Sequence, residues 1–117
     1  MDVKIYHNAR CSKSRETLQL LQERGIEPEI IDYKKNPPSI DDLFKILLAL
    51  DVPPTDLIRF KDAAAKALGI TPSDEKFVEE WIELMVENPA IIERPIVVNG
   101  NKAAIGRPPE NVLTILD

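Results

Sequence analysis

The sequence holds one cysteine, one histidine and one tryptophan among its 117 residues. A single thiol closes no internal disulfide, which excludes the cross-linked framework of a small secreted domain. Cys11 and His7 are the only soft ligands in the chain, and a structural zinc site takes four, so no metal is expected. Basic excess is missing as well. A net charge of -5 argues against the positive face that binds a phosphate backbone, and nucleic acid is not an expected partner. Long apolar runs are absent too: "LFKILLAL" is interrupted by Lys45 and falls far short of the ~20 apolar residues of a membrane span. No membrane partner is expected. The first residues lack a basic segment followed by an apolar stretch and a small-residue cleavage site, so a cytoplasmic, reducing setting is the expectation.

What is present fits one domain, residues 1–117, long enough to bury about 60 to 70% of the surface its unfolded chain exposes. Val3 to Tyr6 alternate as a short strand, and "SRETLQLLQERG" places Leu18 and Leu21 on one helical face, with Leu20 adding to it and Gly25 as the stop signal. "PEIIDY" reads as a second strand, parallel to the first through a right-handed crossover. From about residue 35 to 92 the pattern is helical. Ser39 with Asp42 resembles a capping box ahead of Leu43, Phe44, Ile46, Leu47 and Leu50, and Pro53-Pro54 ends that helix. A short helix from about Thr55 and an alanine-rich turn follow, then a longer helix whose Phe77, Trp81 and Met85 stripe reads as core. "PIVV" and "KAAI" flank an Asn99-Gly100 hairpin signal, and "GRPPENVLTILD" reads as a last helix with Val112, Leu113 and Leu116 inward. This order predicts an α/β fold: a thioredoxin-like mixed sheet with an enlarged helical insertion between the second and third strands.

Cys11 falls at the junction of the first strand and first helix. A helix N-terminus favours an anion through its unpaired N–H groups and its macrodipole. Arg10, Lys13 and Arg15 add positive charge close by, so the thiolate is favoured over an inert buried thiol. Spacing rejects two cysteine chemistries. A tyrosine-phosphatase loop needs arginine six positions after its cysteine, where this chain has Thr17; dithiol chemistry needs a second cysteine three positions on, where it has Ser14. What remains is a one-cysteine enzyme whose resolving thiol comes from another molecule.

"IYHNARCSKSRETLQLL", "KNPPS", "DLIRFKD", "NPAIIERPIVVNG" and "IGRPPENVL" together resemble the glutaredoxin-coupled arsenate reductases of the ArsC type, in their short branch. The resemblance runs over essentially the whole chain. It implies that Cys11 is the nucleophile and that Arg59, Arg94 and Arg107 hold the oxyanion, with the Arg94-Pro95 bond cis. His7 and Ser14 are supporting candidates, His7 to tune the thiol or orient an anion and Ser14 to donate to the thiolate or merely cap the helix. The residue two before the cysteine, often proline in that family, is Ala9.

The resemblance implies reduction of arsenate to arsenite with no bound cofactor, glutathione as co-substrate and glutaredoxin as the protein partner. Two other functions compete with it. Glutathione-dependent thiol-disulfide exchange would use Cys11 without an oxyanion clamp. A non-catalytic regulatory module would bind a protein partner through the helical block, with "DEKFVEEWIELMVENP" as its face.

Overall fold

A computed structural model describes residues 2–116. The chain divides into two compact units, one running up to Asn36 and resuming at Arg94, the other spanning Pro37–Glu93.

The first unit is built on four strands, β1 (Val3–His7), β2 (Glu29–Asp32), β3 (Ile96–Asn99) and β4 (Lys102–Ile105), in the order β2-β1-β3-β4. β1 runs parallel to β2 and antiparallel to β3, which in turn is antiparallel to β4. Registers place Ile5 opposite Val97 and Val97 opposite Ala104, so one cross-strand row of apolar side chains points into the core. Leu21 of helix α1 (Ser12–Glu23) and Val112 and Ile115 near the C-terminus close over that row. At the end of α1 the N–H of Ile26 donates to the Leu21 carbonyl at 3.0 Å and that of Gly25 to Gln22 at 3.0 Å. This is a Schellman ending, and Gly25, at φ 77, supplies its left-handed residue.

Three details depart from the sequence expectation. The fully inward residues of α1 are Ser14, Thr17 and Leu21, with Leu18 and Leu20 only partly covered, so the helix turns two hydroxyls toward the interior. The hairpin loop is Gly100-Asn101, one residue later than Asn99-Gly100, because Asn99 still pairs with Lys102 and Gly100, at φ 62, takes the first turn position. The last element is a 3-10 helix, Pro109–Ile115, rather than an α-helix. Its buried residues Pro109, Val112 and Ile115 recur every third position, matching the three-residue turn, while Leu113 and Leu116 stay partly covered.

The second unit contains α2 (Ile40–Leu50), α3 (Ala63–Ala67) and α4 (Val78–Glu87), with 3-10 turns at Pro54–Leu57 and Pro89–Ile91. The capping box forms as expected: Asp42 N–H donates to Ser39 Oγ at 3.0 Å and Ser39 N–H to the Asp42 carboxylate at 3.1 Å. Trp81 and Met85 are buried, and Phe60 meets Trp81 edge-on with ring centres 5.8 Å apart. Phe77 is not core. It precedes the first turn of α4, its N–H satisfied by the Glu80 carboxylate, and its ring is 77% exposed. No described helix is long and apolar enough to cross a membrane.

Candidate functional site

Cys11 is the N-cap of α1, in an extended conformation with φ -92 and ψ 124. The loop delivering it is tied by short-range hydrogen bonds. Cys11 N–H donates to the Asn8 carbonyl at 3.0 Å, and Arg10 N–H to Asn8 Oδ1 at 3.0 Å, an Asx turn that fixes the approach to the helix. Asn8 N–H in turn donates to Ser14 Oγ at 3.0 Å, and Ser14 Oγ lies 2.7 Å from His7 Nδ1. His7 and Ser14 are both buried, so end of strand and start of helix are joined by a polar pair out of water. Asn8 is not among the sequence candidates, although asparagine is a residue type that closes such a turn by accepting from the backbone N–H two residues on.

Two arginines converge on the sulfur from the far end of the chain. Arg107 Nη2 donates to Cys11 Sγ at 3.2 Å, while its Nε donates to the Arg94 carbonyl at 2.7 Å. The Arg94 side chain is also among the groups that favour the thiolate. Asn111 Nδ2 holds the Arg107 carbonyl at 3.0 Å. The Arg94-Pro95 bond is cis, and so is Arg107-Pro108.

Burial pushes the Cys11 thiol up, but the Ser14 N–H, the Arg94 side chain, the Arg107 charge and the Lys13 N–H together outweigh it and hold the thiol below its ordinary value. Ser14 thus reaches the thiol through its backbone. Its hydroxyl serves His7 and Asn8. The nearby cations do not act as the spacing suggested. Arg15 Nη1 donates to the Ala9 carbonyl at 3.0 Å, and Lys13 pairs with Glu16 at 3.6 Å; neither charge is among the groups lowering the thiol, nor is that of Arg10. His7 is held below its ordinary value by burial, opposed by the Asp32 carboxylate and reinforced by Arg15, so it is favoured as the neutral ring.

The first unit therefore brings together Cys11, Arg94 and Arg107, with His7 and Ser14 behind them. Arg59 lies in the second unit, where its N–H donates to the Ile91 carbonyl at 2.8 Å beside an antiparallel Ile58–Ile92 bridge. Its Nη1 is buried and has no hydrogen-bond partner among the described residues.

Residues 6–115 match the model of the ArsC family. The chain is 50% identical to the uncharacterized protein YfgD of Escherichia coli K12, covering 97% of this chain and 96% of that one. It is 46% identical to an arsenate reductase of Haemophilus influenzae, over 99% of this chain and all of the relative. Among solved structures, an arsenate reductase from Vibrio cholerae superposes with a TM-score of 0.93 at 42% identity, covering 99% of this chain and 98% of that one. That likeness confirms the thioredoxin-like mixed α/β architecture. On these matches and this site, the chain belongs to the ArsC family.

Proposed function

We propose that this protein reduces arsenate to arsenite with Cys11 as the nucleophile. The observation that carries the reading is the convergence of two guanidinium groups on one sulfur. Each guanidinium has five N–H donors in a planar fork, more than a thiolate can use, and the surplus matches the oxygens of a tetrahedral anion.

In the first step the Cys11 thiolate attacks the arsenic of arsenate, and one As–OH oxygen takes up a proton from solvent and leaves as water, giving a Cys11 S–As(V) adduct. Arg94 and Arg107 hold the negative oxygens of substrate and adduct, and the family resemblance adds Arg59 as the third candidate. Glutathione then supplies the second thiol. Its sulfur bonds to Cys11 Sγ as the S–As bond electrons pass to arsenic, which departs as arsenite and leaves a Cys11–glutathione disulfide. Glutaredoxin with a second glutathione clears that disulfide by thiol exchange, returning the Cys11 thiolate and yielding oxidised glutathione. Two electrons move in total, both from glutathione, and no bound cofactor takes part. The reducing cytoplasm, where glutathione is abundant, is the compartment this chemistry suits. A lone cysteine suits the same cycle, because the resolving thiol arrives from solution.

The clamp separates this reaction from plain glutathione-disulfide exchange, which presents no tetrahedral anion. Replacing Arg59, Arg94 or Arg107 by alanine is expected to cost ~1.5 to 3 kcal/mol of transition-state binding, roughly a ten- to hundredfold loss of kcat/KM for arsenate. Exchange through Cys11 should fall much less in the same variants. If all three reduced arsenate as well as the parent, the clamp would be wrong and mixed-disulfide exchange would be the better reading.

A further inference from the structure

Gly106 differs from the other three glycines. Gly25, Gly69 and Gly100 have positive φ and open space where a Cβ would sit, so backbone conformation explains them. Gly106 has no positive φ, and its space is full. A Cβ there would run into the Thr17 hydroxyl and methyl and stand 2.8 Å from Pro95 Cγ. This glycine is required by close approach alone.

The approach joins three segments that carry the reactive groups. Thr17 lies on α1, whose N-cap is Cys11; its hydroxyl donates to the Lys13 carbonyl at 2.7 Å and faces the Gly106 carbonyl at 3.4 Å. On the other side the Gly106 N–H donates to the Pro95 carbonyl at 2.9 Å, next to Arg94. The Arg107 N–H returns to the Ile105 carbonyl at 2.9 Å, a γ-turn centred on Gly106 that swings the chain out of β4 and sends Arg107 back toward Cys11. Thr17 is fully buried, an unusual place for a hydroxyl, and its partners account for it.

We propose that Thr17 and Gly106 are positioning residues: their contact seats the γ-turn against α1 and thereby sets the 3.2 Å approach of Arg107 to the Cys11 sulfur. Neither touches the reacting atoms. The proposal rests on Cys11 being the reactive thiol and is independent of whether arsenate is the substrate. A one-carbon wedge at Gly106 lifts the turn away from the helix, and truncating Thr17 removes the surface on which it sits.

Alkylation of Cys11 by iodoacetamide as a function of pH reads the consequence in the full-length protein, alongside melting temperature. Gly106→Ala is expected to raise the alkylation midpoint by about half to one pH unit, the scale of one cation moved off an anion. Thr17→Ala should raise it by less. The double variant should lie nearer the parent than Gly106→Ala does, because the space taken by the new methyl has been vacated and the Pro95 ring can repucker. If Gly106→Ala does not fold, the Thr17→Ala shift decides alone. A purely structural contact would lower the melting temperatures and leave every midpoint at the parent value, which would overturn the proposal. A parent midpoint at or above that of an ordinary thiol would instead remove the premise that Cys11 is activated, so the two failures are distinct.

Discussion

Replacing Arg107 by alanine removes two contacts at once, the Nη2 donation to Cys11 Sγ at 3.2 Å and the Nε donation to the Arg94 carbonyl at 2.7 Å. The first is a charge-assisted bond to the thiolate, worth about 1.5 to 3 kcal/mol where solvent is excluded. Cys11 is only partly buried, so the lower end applies. At about 1.4 kcal/mol per unit this shifts the thiol midpoint upward by about one pH unit. Below both midpoints the reactive thiolate, and with it the alkylation rate, should fall about tenfold. The assay is iodoacetamide alkylation against pH, with intact-protein mass giving the modified fraction. Arg107→Lys should fall between parent and alanine variant, because an ammonium restores charge without the fork that spans sulfur and carbonyl. If Arg107→Ala alkylates with the parent's pH profile, thiolate stabilisation by Arg107 is refuted, leaving the helix-terminal N–H groups and Arg94 as its source.

His7 makes stability depend on pH. Its folded pKa lies below the ordinary 6.5, so between the two values the unfolded chain binds the proton and the folded one does not. The contribution is whole above 6.5 and is lost as pH falls through the folded value; melting temperatures between about pH 8 and pH 5 should decline more steeply in the parent than in His7→Gln. Ser39→Ala removes the acceptor for the Asp42 N–H at the start of α2 and should cost about 0.5 to 2 kcal/mol in denaturant unfolding, leaving the Cys11 alkylation profile unchanged.

Local features were the ones most legible in the sequence. Cys11 at a strand-to-helix junction, the Ser39 capping box and the hairpin near Gly100 each depend on a few adjacent residues, and each is present. Features set by distant partners were not. Arg10, Lys13 and Arg15 are near Cys11 in sequence, yet the guanidiniums acting on its sulfur come from positions 94 and 107, across the sheet's chain reversal. Position 94 and 107 became candidates through family resemblance, since no local pattern pairs them with residue 11. Periodicity misled where tertiary packing chose the turn: Pro109, Val112 and Ile115 are buried at a spacing of three, which an apolar count over "ENVLTIL" does not distinguish from an α-helix. Phe77 continues the Trp81–Met85 stripe in sequence but sits before the first turn of α4, where the helical period no longer governs its direction. In the sequence Thr17 stands out only as the position where a phosphatase loop has arginine. Its burial depends on Gly106, a contact spanning most of the chain.

In the proposed cycle a single thiol reduces arsenate, and the thiol that completes it arrives from solution. Purified protein with arsenate, glutathione, glutaredoxin and an NADPH-coupled glutathione reductase tests it most directly, with arsenite quantified as product and Cys11→Ser as the paired control. Arsenite formation should require both glutathione and glutaredoxin, a Cys11–glutathione disulfide should accumulate when glutaredoxin is withheld, and Cys11→Ser should give no arsenite. Arsenite release by Cys11→Ser at the parent's rate, or no release from the parent with every component present, would contradict this cycle.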